Sequence, residues 1–207
     1  MKFINIPGLI DYNEIITILD NHVDRLIKKE TNEIIYLTEH HDVYTAGYNA
    51  KNSELLTNNF NIPVIYTNRG GKFTYHGPGQ RIIYPIIDLS IRINDIRLYV
   101  RMLEEWIINS LNYLGIDAKI LDGKVGIWVI HNKEFKKIAS IGLRVKKSIV
   151  YHGVAVNIST DLKKFSGIIP CGLDNIQFTS LKELTIDISM SLFDNILKSQ
   201  FYRVFGK

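Results

Sequence analysis

Cysteine is almost missing from this chain. Cys171 is the only one in 207 residues, which excludes an intrachain disulfide and any zinc or iron–sulfur site built on several thiolates. No linker rich in Pro, Gly or Ser, no internal repeat and no low-complexity tract interrupts the sequence, so residues 1–207 are expected to form one unit. No apolar run has the length of a membrane span. The opening Met1-Lys2-Phe3-Ile4-Asn5-Ile6-Pro7 lacks the apolar core of a signal peptide. A free thiol without export signals fits a reducing, cytoplasmic setting. Charge of one sign is scarce as well: 25 Lys and Arg against 21 Asp and Glu leave a net +4, enough to steer toward acidic partners and too little to identify one. Nucleotide loops are absent. In Arg69–Gln80 the pair Gly71-Lys72 is followed by Phe73, Tyr66 stands where a phosphate loop needs its first glycine, and Ile82 breaks the dinucleotide pattern three residues after Gly79.

What is present reads as an ordinary packed globule, 46% hydrophobic and 22% charged. Tyr12, Ile15, Ile16, Leu19, Val23, Leu26 and Ile27 recur at helical spacing, giving a helix over 11–30 opened by Asp11 and Glu14. A second helix is expected over 95–114, with Ile96, Tyr99, Leu103, Trp106, Ile107 and Leu111 inward and Gly115 ending it. A third covers 187–205, with Ile188, Leu192, Ile196 and Leu197 as its stripe, and a short helix is expected over 161–165. Strands are expected over 33–38, 63–67, 81–89, 117–121, 125–130, 137–145 and 149–158, with Pro85 marking a bulge or an edge. The order implies an α/β (α+β) architecture, a mixed sheet with helices packed on it.

Four segments could carry chemistry. Cys171 lies between Pro170 and Gly172; it is either a buried apolar thiol or a nucleophile held on a bend. The segment Arg69–Gln80 holds four glycines, whose amides can approach a ligand closely, or it is a turn between strands. In Lys137-Ile138-Ala139-Ser140-Ile141-Gly142-Leu143-Arg144, lysine heads a row of Ala139, Ile141 and Leu143, a pattern that usually places it in solvent at a strand end. Gly142 within that strand, like Gly153 within His152–Asn157, implies a close approach to the backbone. His40-His41-Asp42 makes a poor chelate, because neighbours on an extended chain face opposite ways. No metal is expected.

Together these segments are far more specific than any one of them. Arg69-Gly70-Gly71-x-x-Thr74-x-His76-Gly77-Pro78-Gly79-Gln80, then Lys137-Ile138-Ala139-Ser140-Ile141-Gly142, then His152-Gly153-x-Ala155-x-Asn157, then Pro170-Cys171-Gly172 resemble the lipoyl(octanoyl) transferases in order and spacing. Val43-Tyr44-Thr45, Tyr84-Pro85-Ile86 and Gly126-Ile127-Trp128-Val129 extend the match, whereas His41-Asp42 and Tyr48-Asn49 depart from it. The resemblance implies a fold similar to the catalytic domains of biotin and lipoate protein ligases. It also implies an octanoyltransferase without cofactor that moves an octanoyl or lipoyl group from acyl carrier protein to a lysine of lipoyl domains. Those domains belong to 2-oxoacid dehydrogenase complexes and the glycine-cleavage H protein. By the same resemblance Cys171 carries the acyl group as a thioester and Lys137 is its dyad partner. Arg69, Gly70, Gly71, Lys72, Phe73, Thr74, Tyr75, His76, Ser140, Ile141, Gly142, Gly153, Val154 and Ala155 bind substrate, with His152 and Gly172 in support. Neither nucleic acid nor a membrane is an expected partner. Two rivals are an ATP-dependent ligase on the same fold, which would need no cysteine, and an RNA-binding module stacking bases on Tyr66, Phe73 and Tyr75.

Overall fold

The computed structural model describes residues 1–56, 60–169 and 176–206. Its centre is a seven-stranded mixed sheet, in the order β1 (Lys2–Ile10), β2 (Ile34–His40), β6 (Gln80–Asp88), β10 (Ile149–Asn157), β9 (Glu134–Lys146), β8 (Lys124–His131) and β7 (Ala118–Leu121). A smaller sheet pairs β4 (Val64–Tyr66), β3 (Val43–Ala46) and β5 (Phe73–His76). Three helices cover the large sheet: α1 (Tyr12–Ile27) on one face, α2 (Ile96–Asn112) and α3 (Met190–Phe205) on the other.

Sequence periodicity explains which faces meet. Ile15, Leu19, Val23 and Leu26 of α1 pack on Tyr36, Ile82, Tyr84, Tyr151 and Ala155. Tyr99, Leu103, Trp106 and Ile107 of α2 join Phe193, Leu197 and Phe201 of α3 over Leu37, Ile83, Val150, Val154 and Val156. Alternate residues of β10 thus feed two separate apolar layers, as a strand buried on both faces requires. The Asp95 carboxylate caps α2 by accepting from Arg97 N and Leu98 N, and Gly115, at φ +80°, ends its last turn.

Some expectations need correction. Lys2–Ile10 was not anticipated as a strand; it is an edge strand, parallel to β2 and irregular between Asn5 and Leu9, where Pro7 and Gly8 fall. Ile96 and Leu192, expected inward, are exposed; α3 instead buries Phe193 and Phe201. Pro85 does not lie at an edge. It sits in β6, between β2 and β10, paired with Ile35 on one side. On the other side the β6–β10 pairing runs through Ile149–Asp88 and Val150–Ile87 and resumes at Val154–Ile83. The residues between include His152, at φ +61°, and Gly153, where an added Cβ would overlap Ile83 O and approach the Pro85 Cδ. Proline has no amide hydrogen to give to the ladder, so the neighbouring strand bends away from regular pairing there. Gly153→Ala should therefore destabilise the protein by about 1–3 kcal/mol through overpacking, read as a lower urea midpoint at unchanged m-value.

Candidate active site

The interrupted stretch of β10 forms the floor of a cavity of about 440 Å³, within the range of roughly 300–1,000 Å³ usual for small-molecule sites. His152, Gly153, Val154 and Ala155 line it from β10, Ser140, Ile141, Gly142 and Leu143 from β9, and Ile82 and Tyr84 from β6. Arg69, Gly70, Gly71 and Lys72 of the glycine-rich loop, with Phe73, Thr74 and His76 of β5, close it from above. The expected substrate-binding segments, far apart in sequence, therefore meet on one void. Tyr75 is the exception. Its ring packs 5.2 Å from that of Phe165, and its hydroxyl donates to Asp42 at 2.7 Å, so it holds the small sheet rather than the cavity wall.

The glycine loop is fixed by backbone and by Arg69. Gly70 N donates to Leu143 O at 2.8 Å, extending the free edge of β9 into the loop. Arg69 donates through Nη2 to Thr45 O and Thr45 Oγ1, both at 2.7 Å, and to Lys72 O at 2.9 Å, while Nη1 reaches Gly70 O at 2.9 Å. A guanidinium so engaged braces the wall against β3. Gly142 accommodates this arm, since a Cβ there would stand 3.3 Å from Arg69 Cδ. Lys72 forms an ion pair with Glu54, whose main-chain oxygen accepts from Ile169 N at 2.7 Å. The loop is thereby joined to the chain entering the Cys171 segment.

In the wall and behind it lies a group of neutral rings. His40 contacts Ile10 O at 2.9 Å through Nδ1 and the Tyr84 hydroxyl at 2.8 Å through Nε2. Burial lowers His40 to about 4 and His152 to about 3, and it holds His76 well below the ordinary histidine range. His76 stacks on Tyr12, 6.1 Å between centroids. Such histidines take up protons more readily when unfolded. Their contribution is complete above about pH 6.5 and is lost as pH falls toward about 4 for His40 and about 3 for His152. Each should add up to about 1.4 kcal/mol of instability per pH unit in that window. Urea midpoints measured from pH 7 to 4 should fall steeply, and His40→Phe should flatten the curve. The neighbouring Asp42 accepts from Tyr75 and from Lys164 at 2.6 Å. Among the described residues no cluster of three or more His, Cys, Asp or Glu is placed to hold a metal ion.

Lys137 is not a strand-end residue in solvent. It is 1% exposed, because β9 bulges opposite Ile127 and Trp128 and breaks the simple alternation of faces. A Cβ at Gly126 would overlap its Cε, and its Nζ lies 5.6 Å from the Trp128 ring centroid. Lys137 does not line the cavity. Its backbone instead holds the chain leaving the cysteine segment: Lys137 N donates to Gln177 O at 2.8 Å, and Thr179 N to Lys137 O at 3.0 Å. Pro170, Cys171 and Gly172 lie outside the described residues. The cavity also draws on Tyr12, Asn49, Tyr84, Val100 and Val125, which the motifs did not single out as site residues. Tyr12 and Val100 belong to helices whose apolar period reads as core, while Asn49 is part of a departure from the family pattern. Among the described residues no helix is long and apolar enough to cross a membrane.

The chain is similar to known proteins in sequence and in fold. Residues 11–202 match the lipoyl protein ligase A/B catalytic domain. The chain is 58% identical over 208 aligned positions to an octanoyltransferase of Rickettsia rickettsii (strain Sheila Smith), covering 99% of each chain. In fold it is similar to a bipartite lipoate protein ligase from Thermoplasma acidophilum, with a TM-score of 0.73 at 18% identity, covering 98% of this chain and 82% of that one. It is also similar to the biotin protein ligase of Aquifex aeolicus, with a TM-score of 0.56 at 9% identity over 99% and 69% of the two chains.

Proposed function

The chain belongs to the lipoyl protein ligase A/B catalytic-domain family, as an acyltransferase of the octanoyltransferase type, and from that premise we propose that it carries acyl groups on Cys171 with Lys137 as proton partner. The donor is octanoyl, or lipoyl, acyl carrier protein. The acceptor is a lysine of lipoyl domains in 2-oxoacid dehydrogenase complexes and the glycine-cleavage H protein, and the setting is lipoate biosynthesis in the cytoplasm. Residues 1–207 act as one catalytic unit.

In the first half-reaction the Cys171 thiolate attacks the donor thioester. The new C–S bond forms, the carrier thiolate leaves, and the Lys137 ammonium supplies its proton. In the second, the acceptor amine attacks the enzyme thioester, Cys171 leaves as thiolate, and neutral Lys137 takes the amine proton. An isolated thiol is only a few per cent ionised at neutral pH, and an adjacent ammonium favours the thiolate. The observation that carries the reading is Lys137, buried within the sheet and bonded through its backbone to the chain that leaves the Cys171 segment. The cavity, with small residues at Gly142, Gly153 and Ala155, suits an apolar acyl chain, each buried CH₂ contributing about 0.8 kcal/mol.

Intact-mass measurement of the protein as expressed tests this. An adduct of octanoyl mass is expected, lost in Cys171→Ser. The rival ligase chemistry is separated by assaying octanoyl carrier protein against octanoate with ATP. Product from the free acid alone would overturn the transferase reading.

A further inference from the structure

The bulge in β9 sets which face of the sheet Lys137 serves. Ile127 pairs with Ala139 and Trp128 with Lys137, so Ile138 is the extra residue. Ile138 and Ala139 both join the apolar layer beneath α2 and α3, together with Ile127 and Val129. Trp128 lies between those last two on β8 and so points to the opposite face; Lys137, directly across the ladder, points with it. Ser140, next to Ala139, is on that face as well and lines the cavity. Without the bulge, Lys137 would share the row of Ala139 and lie in the layer beneath the helices.

Neighbours on β8 then fix its stem and its ammonium. Gly126 has φ +111°, and a Cβ there would overlap Lys137 Cε and Ala139 O and stand 3.0 Å from Lys137 Nζ. Only glycine leaves the space that the stem fills. Lys137 Nζ lies 5.6 Å from the Trp128 ring centroid, within the range over which an indole attracts an ammonium. The indole is itself held. Trp128 is 2% exposed, and its Nε1 donates to Lys124 O at 3.1 Å. The Lys124 ammonium stands 5.7 Å from the same centroid, but Lys124 is exposed, and water weakens its attraction to the ring. Neither Gly126 nor Trp128 lines the cavity, so both reach the lysine rather than the acyl site.

We propose that Trp128 is a positioning residue for acyl transfer: its ring, oriented by the Lys124 carbonyl, seats the Lys137 ammonium, and Gly126 leaves room for the stem to reach that seat. The proposal rests on the acyl-transfer reading, in which Lys137 serves the Cys171 sulfur. The ring acts on the chemistry through the lysine alone.

Two measurements test it: the pH profile of Cys171 alkylation without substrate, and steady-state transfer from octanoyl carrier protein. Trp128→Leu should raise the alkylation midpoint toward that of Lys137→Met. It should also lower kcat about two- to thirtyfold at unchanged KM, the span expected for loss of a cation–π contact. Trp128→Phe keeps an aromatic face and should restore most of both. A wild-type midpoint in Trp128→Leu, a KM that rises as kcat falls, or equal defects in the Leu and Phe variants would overturn the proposal, the last two by reducing Trp128 to packing. Lys124→Met keeps the carbonyl anchor and should leave the midpoint in place. A shift matching that of Trp128→Leu would also overturn it, by assigning the effect to charge near the ring. Gly126→Ala should share the raised midpoint, and a wild-type midpoint there would remove Gly126 from the account; where this strained variant does not fold, the Trp128 pair decides. If Lys137→Met itself left the profile unmoved, the acyl-transfer reading of that lysine would fail. If Lys137→Met moved it and Trp128→Leu did not, only the role of Trp128 would.

Discussion

Lys137→Met should lower kcat for acyl transfer by about 10²–10⁴-fold, the span typical of losing a positioned proton donor and acceptor. Methionine keeps an unbranched apolar stem against Trp128 and Gly126, where the lysine is packed, so the fold should survive and the loss should be chemical. Alkylation of Cys171 separates these possibilities without any substrate. In the wild type the reaction should already be fast near neutral pH; in the variant its midpoint should move up toward the ordinary thiol value of about 8.5. Superimposable alkylation profiles would end the case for Lys137 as the partner.

The largest stability effect is expected at Arg81. Its Nε lies 3.0 Å from Asp194 Oδ1, with both side chains about 4% exposed or less, and Asn5 donates to the other carboxylate oxygen at 3.0 Å. This triad ties β6, α3 and β1 together. Burial pushes the Asp194 carboxyl above its usual range even though Arg81 pulls it down. Arg81→Met removes that pull and should cost about 3–5 kcal/mol, or about 6–20 °C in Tm for a chain of this size. The pH dependence has a definite sign. A carboxyl raised in the folded state favours folding fully below its unfolded value of about 3.9 and loses that contribution as pH rises through the folded value. The deficit of the variant should therefore shrink on acidification. Adding Asp194→Leu should recover much of the loss at neutral pH. Equal denaturation of the single and double variants would show that the charge pair is not the source.

The sequence was most informative where periodicity was long and apolar. Tyr99, Leu103, Trp106 and Ile107 are all buried on α2, as their spacing requires. It was least informative where tertiary context overrode a local rule. A proline normally signals an edge, yet Pro85 is tolerated in the sheet interior because Gly153 and the positive φ of His152 let the neighbouring strand give way. A lysine heading a strand normally faces water, yet the bulge opposite Ile127 and Trp128 turns Lys137 inward. The edge strand Lys2–Ile10 is broken by Pro7 and Gly8 and shows no clean alternation. Cavity residues within motifs were readable because their chemistry clusters in sequence. Tyr12, Val100 and Val125 were not, since their place in the wall depends on how separate elements meet.

The lapse in pairing between β6 and β10 has a thermodynamic corollary. The void lies against the stretch of β10 where that pairing lapses, so any molecule resting there shores up strands that must part when the protein melts. Acyl compounds should therefore announce their affinity as heat resistance, growing with the logarithm of their concentration above Kd, which gives a catalysis-free way to rank chain lengths.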